Sequence, residues 1–124
     1  MRLGDLERRV MEILWAHLGA QLTARQVEDD LPGYAYTTVL TVLDRLERKG
    51  LVRRERGGRA HRYSAVASRE SYVAGLMHEA LGSVADRDAA LVHFAQTVSS
   101  PEAAVLRKAL SNLPRKRARH DRPS

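Results

Sequence analysis

The sequence predicts a mainly helical fold with one small β-hairpin, the hairpin closing a first group of helices and a second group following it. Three observations carry this. Apolar residues recur at helical spacing from Leu6 to Leu46 and again from Val73 to Leu113. Between those regions, Leu51 to Ser64 alternates with a period of two around Gly57-Gly58. Residues 48–62 hold seven basic groups, Arg48, Lys49, Arg53, Arg54, Arg56, Arg59 and Arg62, against the single acid Glu55.

A chain of 124 residues has room for one domain, or a small domain with an appendage. It contains no cysteine, so disulfides, thiolate metal sites and cysteine nucleophiles are excluded. Met1-Arg2-Leu3-Gly4-Asp5 leads straight into an amphipathic segment, and no long apolar run follows. The expectation is a soluble, cytoplasmic protein with no stable membrane association. The net charge of +6 favours a polyanionic partner. That charge is uneven: residues 65–113 hold four basic and five acidic groups, and residues 114–124 hold five basic groups and Asp121.

Asp5 is expected to cap a first helix running to about His17. Leu6, Val10, Ile13 and Leu14 form its stripe. Met11 and Trp15 lie well round from that stripe, so this helix is apolar on two sides and Trp15 should be buried against the wing or the C-terminal helices. Gly19 breaks it, and Gln21-Leu22 suits a short strand. Thr23-Ala24-Arg25-Gln26 is a capping box that opens a second helix, with Val27 and Leu31 inward and Pro32-Gly33 at its end. The third helix starts near Tyr36 without a strong cap. It places Val39, Val42, Leu43 and Leu46 on one side, Leu40 at the edge, and Thr37, Thr41, Asp44, Arg45 and Arg48 on the other. Gly50 suits a left-handed stop.

The hairpin is expected to turn at Gly57-Gly58, with Val52 opposite Tyr63, Arg54 opposite His61 and Arg56 opposite Arg59. Like charges facing each other destabilise a sheet, so such a tip makes sense where phosphates neutralise it. Beyond it, Ser68 caps a fourth helix, Asp86 a fifth, and Ser100-Pro101-Glu102 opens a sixth with proline in the first helical position. Their stripes are too few and too short to enclose a core, and a second copy of the chain is the simplest cover. Val73, Leu76, Met77, Leu91, Phe94, Leu106 and Leu110 are the expected dimer contacts. The chain thus divides into a DNA-binding unit at 1–66, a helical dimerisation region at 67–113, and a disordered basic tail at 114–124.

Three helices followed by a basic, glycine-tipped hairpin make a winged helix-turn-helix. The outward face of the third helix combines short hydroxyls with an arginine, groups that reach base edges and phosphates in a major groove. Thr37, Thr38, Thr41 and Arg45 are expected to read bases or the phosphates flanking them. Arg54, Arg56, Arg59, His61 and Arg62 are expected to make wing contacts to backbone or minor groove. Two rival readings are an architectural protein that coats DNA without sequence preference, and an interaction module whose basic face meets an acidic protein. Other chemistry finds no footing. His17, His61, His78, His93 and His120 lack metal-ligand spacing, Glu28-Asp29-Asp30 reads as a solvated cluster, and Ser64, Ser68 and Ser71 lack a histidine–aspartate arrangement. Neither an enzyme nor a cofactor or metal site is expected.

Leu3-Gly4-Asp5-Leu6-Glu7, Val10-Met11, Leu14-Trp15, Ala35-Tyr36-Thr37-Thr38-Val39, Arg45-Leu46, Lys49-Gly50-Leu51-Val52 and Gly58-Arg59-Ala60-His61-Arg62-Tyr63 resemble the BlaI/MecI/CopY family of penicillinase-type repressors, its actinobacterial BlaI-like members above all. The likeness runs from about Leu3 to Leu113. It implies a dimeric repressor on a palindromic operator, with the C-terminal helices forming the dimer. It also implies a membrane sensor-protease, triggered by β-lactam, that releases the repressor by cleavage. The copper-sensing branch uses C-terminal cysteines that this chain lacks. The asparagine–phenylalanine cleavage pair of staphylococcal members is also missing, since Phe94 follows His93.

Overall fold

The computed structural model describes residues 3–114; the expected basic tail lies, beyond Pro114, outside them. The elements are α1 (Asp5–Ala16), β1 (Leu22–Thr23), α2 (Ala24–Asp29), α3 (Tyr36–Arg48), β2 (Val52–Gly57), β3 (Ala60–Ala65), α4 (Arg69–Gly82), α5 (Arg87–Thr97) and α6 (Ser100–Ser111). The three strands form one antiparallel sheet in the order β1-β3-β2. Two compact units divide the chain, one reaching Ala80 and the other starting at Leu81. Tyr72, in the first turns of α4, packs on the winged core.

That core is built from one face of each element. Val10, Met11 and Leu14 of α1 meet Val27 of α2, Val39, Val42, Leu43 and Leu46 of α3, and Val52 and Tyr63 of the hairpin, all nearly excluded from solvent. The stripe of α1 differs from its expected position. Leu6 and Ile13 lie at the margin and Met11 is buried, as is Trp15, in line with expectation, because the chain leaving the hairpin covers the Met11–Trp15 side. Trp15 is 8% exposed. Its ring lies 5.4 Å from that of Tyr72. Gly4, not Asp5, caps α1: its N–H donates to Glu7 Oε1 at 2.9 Å, and Asp5 is the first helical residue.

The capping box at α2 forms as expected, Thr23 Oγ1 accepting from Gln26 N at 3.2 Å and Gln26 Oε1 from Thr23 N at 2.8 Å. α3 starts at Tyr36, with Ala35 at the cap position and no side-chain cap. It ends in a Schellman arrangement: Leu51 N donates to Leu46 O at 3.0 Å and Gly50 N to Glu47 O at 2.9 Å, with Gly50 at φ 82°.

The hairpin register is shifted by two residues from the expected one. Val52 pairs with Ala65, Arg54 with Tyr63, Arg56 with His61 and Gly57 with Ala60, so the facing Arg56–Arg59 pair does not form. Of the two glycines at the tip, only Gly58 takes positive φ, at 71°. A turn with glycine only in its first central position uses Gly58-Arg59 as its loop and frees Gly57 to extend the ladder. A Cβ at Gly57 would lie 2.5 Å from Arg62 Nε, whose stem crosses that position. A slip of two leaves every side chain on its expected face.

Ser68 Oγ accepts from Ser71 N at 3.1 Å at the start of α4, and Asp86 Oδ1 accepts from Ala89 N at 3.0 Å at the start of α5. α6 is capped one residue earlier than expected. Ser99 Oγ accepts from Glu102 N at 3.2 Å and Glu102 Oε1 accepts from Ser99 N at 2.8 Å, which makes Pro101 the second helical residue.

Candidate nucleic-acid interface

The burial of Val39, Val42, Leu43 and Leu46 fixes the rotation of α3 and leaves Thr37, Thr41, Arg45 and Arg48 exposed, with Thr38 and Asp44 half-buried. Thr41 Oγ1 donates to Thr37 O at 2.9 Å, which commits its proton and leaves its lone pairs free to accept. Arg45 keeps about half its side chain in solvent (51%), with Nη1 4.0 Å from Glu7 Oε2.

Glu7 is 5% exposed and is the one buried charged residue among those described. Lys49 Nζ donates to both of its carboxylate oxygens, at 2.8 and 2.9 Å, and the Gly4 N–H supplies a third donor. Burial pushes the Glu7 carboxyl up. The Lys49 hydrogen bonds, the Gly4 N–H and the charges of Lys49 and Arg45 together outweigh burial and hold it below the usual carboxylate range. α1 is thereby tied to the C-terminal turn of α3.

The five wing residues separate into two sets. Arg56, Arg59 and His61 are exposed, and no described residue bonds to their side chains. Arg62 is half-buried with its stem over Gly57. Arg54 turns the other way, onto α3, with Nη1 3.5 Å from Asp44 Oδ1 and Nε 3.7 Å from Glu47 Oε1. It fastens the wing to α3 and offsets two acids that would otherwise repel phosphate.

Sequence reasoning missed Arg25. Its guanidinium sits 4.4 Å from the centroid of the Tyr36 ring, with 70% of the side chain exposed. A cation–π contact of that kind holds the arginine at the start of α3, beside Thr37 and Thr38. The signal is absent locally, because Arg25 and Tyr36 are brought together only by the turn between α2 and α3. Glu7 and Lys49 were missed for a different reason: a lone glutamate on an amphipathic helix ordinarily reads as solvated.

α4, α5 and α6 bury none of their residues. Val73, Met77, Leu91, Phe94, Leu106 and Leu110 are between 40% and 65% exposed, and Leu76 is half-buried. Among the described residues no helix is long and apolar enough to cross a membrane.

A helix-turn-helix with an exposed hydroxyl and arginine face, flanked by a free cationic wing, defines a winged-helix transcriptional regulator. Residues 3–112 match the penicillinase repressor family, and the chain belongs to it. It is 52% identical over 118 residues to the transcriptional regulator BlaI of Mycobacterium tuberculosis, covering 90% of this chain and 85% of that one. Among solved structures, a MarR family protein from Bacillus stearothermophilus superposes with a TM-score of 0.50 at 20% identity, over 90% of this chain and 72% of that one. A point mutant of S. aureus MepR bound to oligodeoxyribonucleotide superposes with a TM-score of 0.52 at 20% identity, over 88% of this chain and 75% of that one. The structural likenesses speak for the winged-helix fold. The family makes the chain a DNA-binding regulator of repressor type and not an enzyme.

Proposed function

We propose that the chain represses transcription as a homodimer on a palindromic operator, with one winged unit on each half-site. The observation that carries this is that α4, α5 and α6 bury no residue of their own. Three apolar stripes left open on one chain would be costly, and a second copy related by a two-fold axis covers them with no other component. The same axis sets two α3 faces on the duplex about 34–36 Å apart, one helical turn, so the site must be a palindrome. Thr37, Thr38, Thr41 and Arg45 face the bases or their flanking phosphates, and Arg56, Arg59, His61 and Arg62 grip the backbone. A protein that only coats DNA needs cations, not a row of threonine hydroxyls. The repressor should therefore prefer its operator over random duplex by about 10³-fold or more.

Membership of the penicillinase repressor family supports operators beside β-lactamase-type genes as the targets and a sensor-protease as the partner that ends repression. Copper release through thiolates has no ligands here, since cysteine is absent. Cleavage between α4 and α5 would separate each winged unit from most of the dimer contacts. Mapping the binding sites on the host genome, with and without a β-lactam, tests this while the length of the chain is followed on a gel. Sites beside a β-lactamase and a sensor-protease, lost together with the full-length band, are the expected result. Sites lost while the chain stays whole would overturn proteolytic release, and scattered sites with no shared palindrome would overturn specific repression.

A further inference from the structure

We infer that Glu7, on α1 and off the DNA face, is a positioning residue for sequence discrimination: it holds Arg45 at the edge of the reading face of α3 and withdraws Lys49 from phosphate. The inference rests on the reading of Arg45 as a base- or phosphate-flanking contact. Two features of the site carry it. The carboxylate is buried and already fixed by the Gly4 N–H and by both hydrogen bonds from Lys49, so it is a rigid anchor and not a mobile counter-ion. Arg45, half in solvent and 4.0 Å from Glu7 Oε2, therefore feels a fixed negative charge on one side only.

An exposed arginine samples many rotamers and finds phosphate as readily as a base edge. A fixed carboxylate at that distance narrows the sample before DNA arrives, which favours the contact that needs one geometry over those that tolerate many. Lys49 acts on every duplex alike. With its ammonium committed to Glu7, it adds little to the sequence-independent attraction that every duplex offers. A single buried acid thus lowers the attraction to all duplexes through Lys49 and sharpens discrimination through Arg45 alone.

Glu7→Gln keeps the side chain's shape and an acceptor for the Gly4 N–H while removing the charge. The probe is the duplex that the wild-type full chain selects from a randomised library, compared with a scrambled duplex of the same composition. In Glu7→Gln the ratio of the two affinities should fall at least about fivefold, with binding to the scrambled duplex unchanged or tighter. Glu7→Asp, which keeps the charge at shorter reach, should lie between. In an Arg45→Ala background, Glu7→Gln should change the ratio by less than about twofold, because its route to the bases is gone. A parallel loss of both affinities, tracking a loss of folded protein, would reduce Glu7 to a structural anchor and overturn the inference, as would an equal effect with and without Arg45. A wild-type chain that enriches no sequence would overturn the base-reading role itself, and the inference with it.

Discussion

Trp15 donates its indole Nε1–H to the backbone carbonyl of Ala67 at 3.1 Å, across 52 positions of sequence. Arg69 stacks over the same ring at 5.5 Å and pairs with Glu12, and Tyr72 lies against it. The chain leaving the wing is therefore clamped to α1 before α4 begins. Trp15→Ala should cost about 3–5 kcal/mol by opening a cavity. Trp15→Phe should keep most of the packing and cost about 1–3 kcal/mol, because the Ala67 carbonyl loses its donor. Denaturant midpoints measure both. As the only tryptophan in the chain, Trp15 should also show a blue-shifted emission that iodide quenches poorly, and a water-like maximum would contradict its burial.

Why some of this was legible in the sequence and some was not can be seen residue by residue. The two faces of α3 follow from a 3.6-residue period that a thirteen-residue helix repeats often enough to be unambiguous. Thr23 and Gln26, Ser68 and Asp86 act over three residues, so local chemistry predicts them. The hairpin register was not settled locally, because two adjacent glycines allow two loop positions and only the φ of Gly58 distinguishes them. Met11 and Trp15 are legible as a second apolar side of α1, but the segment that covers Trp15 lies some fifty residues later and is not. The same distance hides the Arg54 contacts to Asp44 and Glu47, the Glu7–Lys49 pair and the stacking of Arg25 on Tyr36. Each is a charge whose partner the fold supplies, and composition reads such charges as free.

The wing arginines should divide by that criterion. Arg56→Ala with Arg59→Ala should weaken all duplexes alike and lower the slope of log affinity against log salt by up to about two, near 0.9 for each phosphate no longer neutralised. Arg25→Ala should lower the slope by less than either wing arginine does, since its guanidinium lies over the Tyr36 ring and 3.5 Å from Glu28 Oε1. Arg54→Ala should leave the slope closer to wild type and show its effect in the thermal midpoint, because its guanidinium is engaged by Asp44 and Glu47. Titrations at several salt concentrations separate the two. A slope change for Arg54→Ala as large as for Arg56→Ala would return Arg54 to the wing contacts.

Glu7 gives stability a pH dependence whose sign is fixed. Its carboxyl is held below the ordinary value in the folded chain, chiefly against burial, by Lys49, Gly4 and Arg45. The folded state therefore binds that proton less readily than the unfolded state, and the contribution is fully present above the unfolded value of about 4.3. It is lost as pH falls through the depressed folded value. Thermal melts of wild type and Glu7→Gln from pH 7 towards pH 3 should show a gap that is constant near neutrality and closes in acid. A gap that widened on acidification would mean that burial, not Lys49, governs this group.

Proteolysis should find the α4–α5 connection before the segment that follows the wing. Both lie between elements, yet their anchoring differs. In the Ala65–Arg69 stretch, Ala65 is buried in the ladder opposite Val52, Val66 N donates to Leu51 O at 3.0 Å, Ala67 O accepts from Trp15, and Ser68 caps α4. A protease needs several residues in extended form, and freeing them here would break the clamp on α1. From Gly82 to Arg87 every residue is exposed, Asp86 caps α5, and α4 has no buried residue in its last turn. A trace of broad-specificity protease should therefore cut first between Gly82 and Arg87, as mass spectrometry of the fragments would show. The N-terminal fragment keeps the whole winged core and Tyr72, so it should remain folded, but it loses the stripes of α5 and α6. Two such fragments no longer share one binding event, and their apparent affinity for a two-site duplex should fall by about 10²–10⁴ relative to the intact chain. First cleavage within 65–69, or a fragment that still sediments as a dimer and binds like the full chain, would place both the weak point and the dimer contacts elsewhere.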